Sequence, residues 1–226
     1  MVEAYIRAVE AGASDVVGFW ADRLNMSLGE VEKMMATPAS YRNTVRMMFI
    51  KKSGVGSQQP DSGSFPALDD VIEFTHQCGA LTCLGWVDGL SEGEQALDEL
   101  TETFLRKGAA IANIVPDRNW NISDPVQRAL KVQKLYEFVD KMKSVDLPLN
   151  IGTEMNSPGN KLMDDFDAPK LGPVRQDFMD GAYFIYGHTV MQRMLGLGYH
   201  CAWSRSAMST RRERNDFYTA AGKAVP

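Results

Sequence analysis

The chain has 226 residues, 44% of them hydrophobic and 10 of them proline, and a formal net charge of −5. That length suits one α/β domain or two small ones and is enough for a packed core. The basic residues are scattered through an acidic chain, so nucleic acid and anionic membrane are both excluded as expected partners.

No run of roughly 18 apolar residues occurs. The start, "MVEAYIRAVEAG", is acidic and helical in period, where a leader would pair a charged segment with an apolar one. The expected compartment is therefore the cytoplasm. Cys78, Cys83 and Cys201 lack C-x-x-C spacing, which predicts buried free thiols in place of disulfides or a thiolate zinc site.

From Met1 to about Ser53 every segment reads as helix. "VEAYIRAVEAG" ends on Gly12, "ASDVVGFWADRLN" follows, and Ser27 opens "SLGEVEKM" with Glu30 in the capping-box position. A fourth helix, "ASYRNTVRMMFIKK", runs up to "SGVGSQQPDSGSFP", which is rich in Gly, Ser and Pro and reads as a linker or loop. The expected organisation is a helical segment over 1–53, a linker over 54–66 and a larger domain over 67–226.

In that larger domain helices alternate with short apolar runs. Residues 69–77 are helical and stop at Gly79, "ALTCLGWV" reads as a strand, and 91–107 form a helix capped by Ser91 with Glu94. "AAIANIV" is the second strand. Asp124-Pro125 opens a helix to about Val145, with Asp124 as N-cap and Pro125 at the first helical position. "LPLNIG" is the third strand, a short helix covers 173–179, and "AYFIYG" is the fourth strand. The tail over 206–222 is basic, then aromatic, and helical.

Strands that are apolar throughout, each followed by a helix, indicate a parallel sheet covered on both faces. Four such units make half of a TIM-type barrel or a small open sheet. The expected fold is α/β: a partial or distorted TIM-type (β/α) barrel with parallel strands, preceded by an all-helical N-terminal segment.

In such sheets ligands bind at the carboxyl ends of the strands, where loops and helix N-termini converge. The four expected ends carry Asp88, then Asp117, Arg118 and Asn119, then Glu154, Asn156 and Lys161, and finally His188. Each offers a group able to bind a cation, an anion or a proton. His188 draws attention because it directly follows an apolar run. Glu154 does so because a carboxylate at a strand end needs a cation, an arginine or water to offset its desolvation. His76, inside a helix, reads as structural.

Three segments together resemble the C-terminal half of the PHP (polymerase and histidinol phosphatase) superfamily of metal-dependent hydrolases with distorted βα barrels. They are "DVIEFTHQCGALTCLGWVDG", "LNIGTEMNSPG" and "GAYFIYGHTVMQRMLGLGY". The likeness covers residues 70–199. It implies that Glu154 and Asn156 lie at the rim of a metal site, that His188 is its terminal histidine ligand, and that a divalent metal, Zn, Mn or Mg, is the cofactor. Several ligand motifs of that family are missing. Gly85-Trp86 stands where the family has a histidine, Tyr186-Gly187 where it has an aspartate, and a His-x-His pair has no counterpart.

The expected function is that of a metal-dependent hydrolase or phosphoesterase, in a fragment of a longer chain or with a degenerate site. Glu154, His188 and Asp88 are its catalytic groups, Glu154 and His188 its metal ligands, and Asp117, Arg118, Asn119, Asn156 and Lys161 its contacts to a small polar or anionic substrate. The alternative is a non-catalytic binding domain for a small molecule such as a sugar acid, with Arg118, Asn119 and Asn156 as donors. A sugar isomerase, in which His188 or Glu154 moves a proton, is the weakest reading. An open edge strand and the methionine and aromatic content of the helical segment, Trp20, Met47, Met48 and Phe49, predict a homo-oligomer or part of a longer chain.

Overall fold

A computed structural model describes residues 1–49, 61, 63–155 and 162–225. It forms two compact units, Met1–Phe65 and Pro66–Pro226. Most of the expected linker, 54–60 and 62, lies outside the described residues, as do Asn156 and Lys161 of the expected site.

The first unit contains α1 (Val2–Gly12), α2 (Val16–Leu24), α3 (Leu28–Met35) and α4 (Pro38–Phe49). Local chemistry sets the helix starts. Asp15 accepts the Gly18 amide at 2.9 Å to cap α2, and Ser27 with Glu30 completes a capping box at α3. Each helix buries one stripe, and the stripes meet around Trp20, 1% exposed, with Ile6, Leu24, Val31, Met34, Tyr41, Val45 and Phe49. Trp20 meets the rings of Tyr41 and Phe49 edge-on, centroids 5.8 and 5.6 Å apart, a favoured arrangement for aromatic quadrupoles. Trp20 and Phe49, expected at an interface, are thus core residues, whereas Met47 and Met48 are exposed.

The second unit begins with α5 (Leu68–Gln77), then β1 (Cys83–Gly85), α6 (Glu92–Gln95), α7 (Leu97–Lys107) and β2 (Ile111–Ile114). It continues through α8 (Asp117–Trp120), α9 (Pro125–Ser144), β3 (Leu149–Ile151), a 3₁₀ turn, α10 (Arg175–Leu195), α11 (Ala202–Ala207) and α12 (Arg211–Ala224). Asp124 caps α9, its carboxylate accepting the Val126 and Gln127 amides, with Pro125 at the first position. The three strands pair in parallel in the order β1-β2-β3. Leu84, Ala112 and Leu149 share one register row and face Leu135, Phe138, Val139 and Met142 of α9, while Trp86 stacks on Phe138 with centroids 4.4 Å apart. Ile111 contributes to a second cluster with Phe184, Tyr199 and Tyr218.

The fold expectation needs correction. Three short strands and a mostly helical chain do not make a TIM-type barrel, partial or distorted. The expected fourth strand, "AYFIYG", is the middle of α10. An apolar run of six residues fits either state, and here the longer pattern decides: Phe178, Gly181, Phe184, and Gly187 with His188 are buried three or four residues apart along one helix. Gly181 is therefore no helix stop. A Cβ there would lie 1.8 Å from the Leu149 carbonyl oxygen. Pro148 and Gly152 bond to β2, so the Leu149 amide and carbonyl point to the outer edge of β3. Glycine lets α10 cover that edge of β3, while β1 is the sheet's other edge strand.

Among the described residues no helix is long and apolar enough to cross a membrane. The thiol expectation is also revised: Cys78 and Cys83 are exposed residues and Cys201 is intermediate. Desolvation nonetheless pushes the Cys83 thiol up to about 11, so it is not a thiolate nucleophile at neutral pH.

Candidate functional site: a cationic pocket at the amino end of the sheet

The loops at the carboxyl ends of the strands bring several expected residues together, and most pair with one another, although the buried Asn119 Oδ1 has no hydrogen-bond partner among the described residues. Arg118, in the first turn of α8, donates from Nε to Glu154 at 2.8 Å and also pairs with it through Nη2. Lys131 pairs with Asp88 at 2.8 Å, and Asp88 also accepts the Leu90 amide at 3.2 Å. The Asp117 amide donates to Asp164 at 3.0 Å, while the Asp117 carboxylate takes the Asn121 side-chain amide. Asn119 is fully buried and ties two loops, donating to the Val87 and Val115 carbonyls. Asn113 and Asn150, partners in register, join side chains at 2.7 Å. This end of the sheet is a lattice of loop-shaping bonds.

His188 is absent from that end because its strand does not exist. It sits on α10, 6% exposed, where Nδ1 accepts the Tyr199 amide at 3.0 Å. Burial lowers its pKa, an effect that interaction with the Gly79 backbone opposes without cancelling. With Nδ1 accepting, the proton resides on Nε2. A buried ring held at Nδ1 by the backbone is a structural tie. Glu154 and His188, expected as a metal-ligating pair, therefore belong to different surroundings. Among the described residues, no group of three or more His, Cys, Asp and Glu side chains could hold a metal ion.

The amino end of the sheet holds what sequence reasoning did not find. A pocket of about 370 Å³ is lined by His76, Gly108, Ala109, Tyr199, His200, Arg205, Arg211 and Arg214. Its lining has three guanidiniums and no carboxylate. None of the three arginines has an ion-pair partner among the described residues, although Arg212, their neighbour, pairs with Asp146. Two are fixed in place: Arg211 donates to the Ala109 carbonyl at 2.9 Å, and Arg214 donates to the Met208 carbonyl at 3.2 Å with its guanidinium over the Tyr199 ring.

His76 and His200 stack beside them, centroids 3.7 Å apart and planes 29° apart. The Thr82 hydroxyl donates its proton to the Gly108 carbonyl at 2.9 Å, so at 3.2 Å it can only accept from His76 Nε2. His76 is thereby assigned the Nε2–H form. His200 Nε2 is buried and has no hydrogen-bond partner among the described residues. Burial, then His76, Arg205, His188 and Arg211, push the His200 pKa down to about 3. Burial first and Arg205 second lower that of His76. Both imidazoles are neutral at pH 7, and the field around them is positive.

A sequence clue existed in the tail, "SRSAMSTRRERNDF", whose basic character was visible. Arg211 and Arg214 are three apart on α12 and so share a face, while Arg212 turns away. That His76, 135 residues upstream of Arg211, joins them was not encoded locally.

No protein-family model matches this chain, and neither does any curated protein or solved structure.

Proposed function

We propose that the second unit is a non-catalytic binding module for a small organic anion, and that the anion occupies the cationic pocket. The observation that carries this reading is the convergence of Arg205, Arg211 and Arg214 without a carboxylate among the lining residues. Arg211 and Arg214 are half-buried and Arg205 is exposed beside them; three like charges without a carboxylate repel one another, and an anion would offset that. Guanidinium forks suit carboxylate and phosphate groups, which can take two parallel N–H bonds from each. A volume of about 370 Å³ accommodates a ligand of sugar-acid size. This reading is of the same kind as the alternative raised from the sequence, a small-molecule binding domain, with the site at the other end of the sheet.

The test is a thermal-shift and calorimetric titration of the full chain with glucuronate, inorganic phosphate and, as a neutral control, glucose. Anion binding to the folded state raises the melting temperature by mass action. Arg205→Gln, which changes an exposed arginine whose side chain makes no hydrogen bond or ion pair among the described residues, should weaken anion binding by about tenfold, the loss of one charge-assisted contact. Equal responses to glucose and to the anions, or anion affinity unchanged in Arg205→Gln, overturn the proposal.

A further inference from the structure

We infer that the cationic pocket is built for a phosphoryl dianion, and that His200 takes up a proton when the phosphoryl group enters. The inference rests on the anion-binding reading above and deepens it. Its first ground is charge. One carboxylate cancels one of the three guanidiniums, whereas a phosphate monoester near pH 7.5 brings almost two negative charges and three terminal oxygens, enough to engage all three arginines at once.

The second ground is the histidine stack. His200 lines this pocket and a neighbouring one of about 220 Å³ that also touches His188, Cys78 and Cys201. Its Nε2 is buried with no partner among the described residues, and a buried polar atom left unsatisfied is costly. The groups that face it are His76 from α5, His188 from α10, Tyr199 beside it in sequence, Arg205 from α11, and Arg211 and Arg214 from α12. Every ionised group in that set is cationic, and no Asp or Glu lines the pocket. Burial and these neighbours hold His200 neutral. A dianion placed among the arginines reverses the sign of the local field and favours the imidazolium. His76 stays neutral: its Nε2–H is committed to Thr82, and stacking against His200 at 3.7 Å disfavours a second charge.

The chain has three histidines, so ring-labelled protein shows three imidazole signals by NMR, and His200→Gln assigns the one that disappears. In the free protein the His200 signal should keep its neutral position down to pH 5. With saturating glucose 6-phosphate it should move to the imidazolium position by pH 6.5, and calorimetry at pH 7.5 in two buffers of different ionisation heat should show net proton uptake. Glucuronate should bind at least tenfold more weakly and leave the signal neutral. His200→Gln should still bind glucose 6-phosphate, more weakly and without uptake. If glucose 6-phosphate binds while His200 remains neutral, or glucuronate binds as tightly, this inference is wrong and the anion site stands. If neither ligand gives heat or moves any signal, the anion-binding reading itself falls. His200→Asn repeats the test should the glutamine variant fail to fold.

Discussion

Replacing Gly222 by alanine probes the contact that holds the second unit's last helix in place. A Cβ on Gly222 would lie 2.0 Å from the Tyr183 carbonyl oxygen and 3.0 Å from the Gly187 amide nitrogen, and a Cβ on Gly187 would lie 1.9 Å from the Tyr218 carbonyl oxygen. The two helices touch backbone to backbone, and both obstacles are main-chain atoms that cannot rotate away. Ordinary contact begins at 3.4 Å, so α10 and α12 must part by about 1.4 Å, the difference between 3.4 and 2.0 Å. Phe184 and Tyr218, both fully buried, and Tyr199 lie at that crossing. A gap of that width is too thin for water and forfeits a quarter to a half or more of the local dispersion energy. Overpacking at such a site costs about 3 kcal/mol, against which the better helix propensity of alanine returns about 1 kcal/mol. The expected net loss is about 2 kcal/mol, or about 1 M in the urea midpoint. The control is Gly93→Ala in α6, where a Cβ meets nothing within 4 Å and the change should be neutral or stabilising by a few tenths of a kcal/mol. Urea unfolding followed by circular dichroism compares the two. A Gly222→Ala midpoint within about 0.2 M of the wild type, on the same scale, would refute the backbone contact.

Two further predictions concern charge. In the unfolded chain histidine protonates near pH 6.5, while folded His200 waits until about 3. Between these values the unfolded state binds more protons, so stability is fully present above about pH 6.5 and falls as the pH drops. The limiting slope is about 1.4 kcal/mol per pH unit for one proton, and the partial exposure of the ring narrows the pH range over which it applies. His200→Gln should flatten the dependence of the urea midpoint between pH 7 and 5, and an unchanged slope would count against the buried neutral imidazole. Glu154→Gln removes the partner of Arg118, a pair whose side chains are 31% and 44% exposed. It should cost at most about 1 kcal/mol and leave phosphate binding at the other end of the sheet unaltered, which a titration would check.

Elements whose cause is local were legible in the sequence. The Ser27–Glu30 capping box, the Asp124 cap with Pro125, the helix stop at Gly79 and the three apolar runs around β1, β2 and β3 each depend on neighbours within a few residues, and each is present. The loop chemistry of Asp88, Asp117 and Asn119 was visible as polar groups at strand ends. Whether those groups face a ligand or each other was not, because Lys131 and Asp164 reach them from distant segments.

What only the tertiary structure decided follows from the same distinction. A six-residue apolar run carries no period long enough to separate strand from helix, and 182–187 became helix because α10 packs along β3 and across α12 through glycines 181, 187 and 222. With that, the barrel and the strand-end place of His188 disappeared together. The convergence of His76, His200 and three arginines is a product of folding alone: α5, the turn after α10, α11 and α12 each supply part of the pocket. Sequence specifies charge and local conformation at each of these positions. The electrostatic field they share depends on distances through space, and those are set by packing.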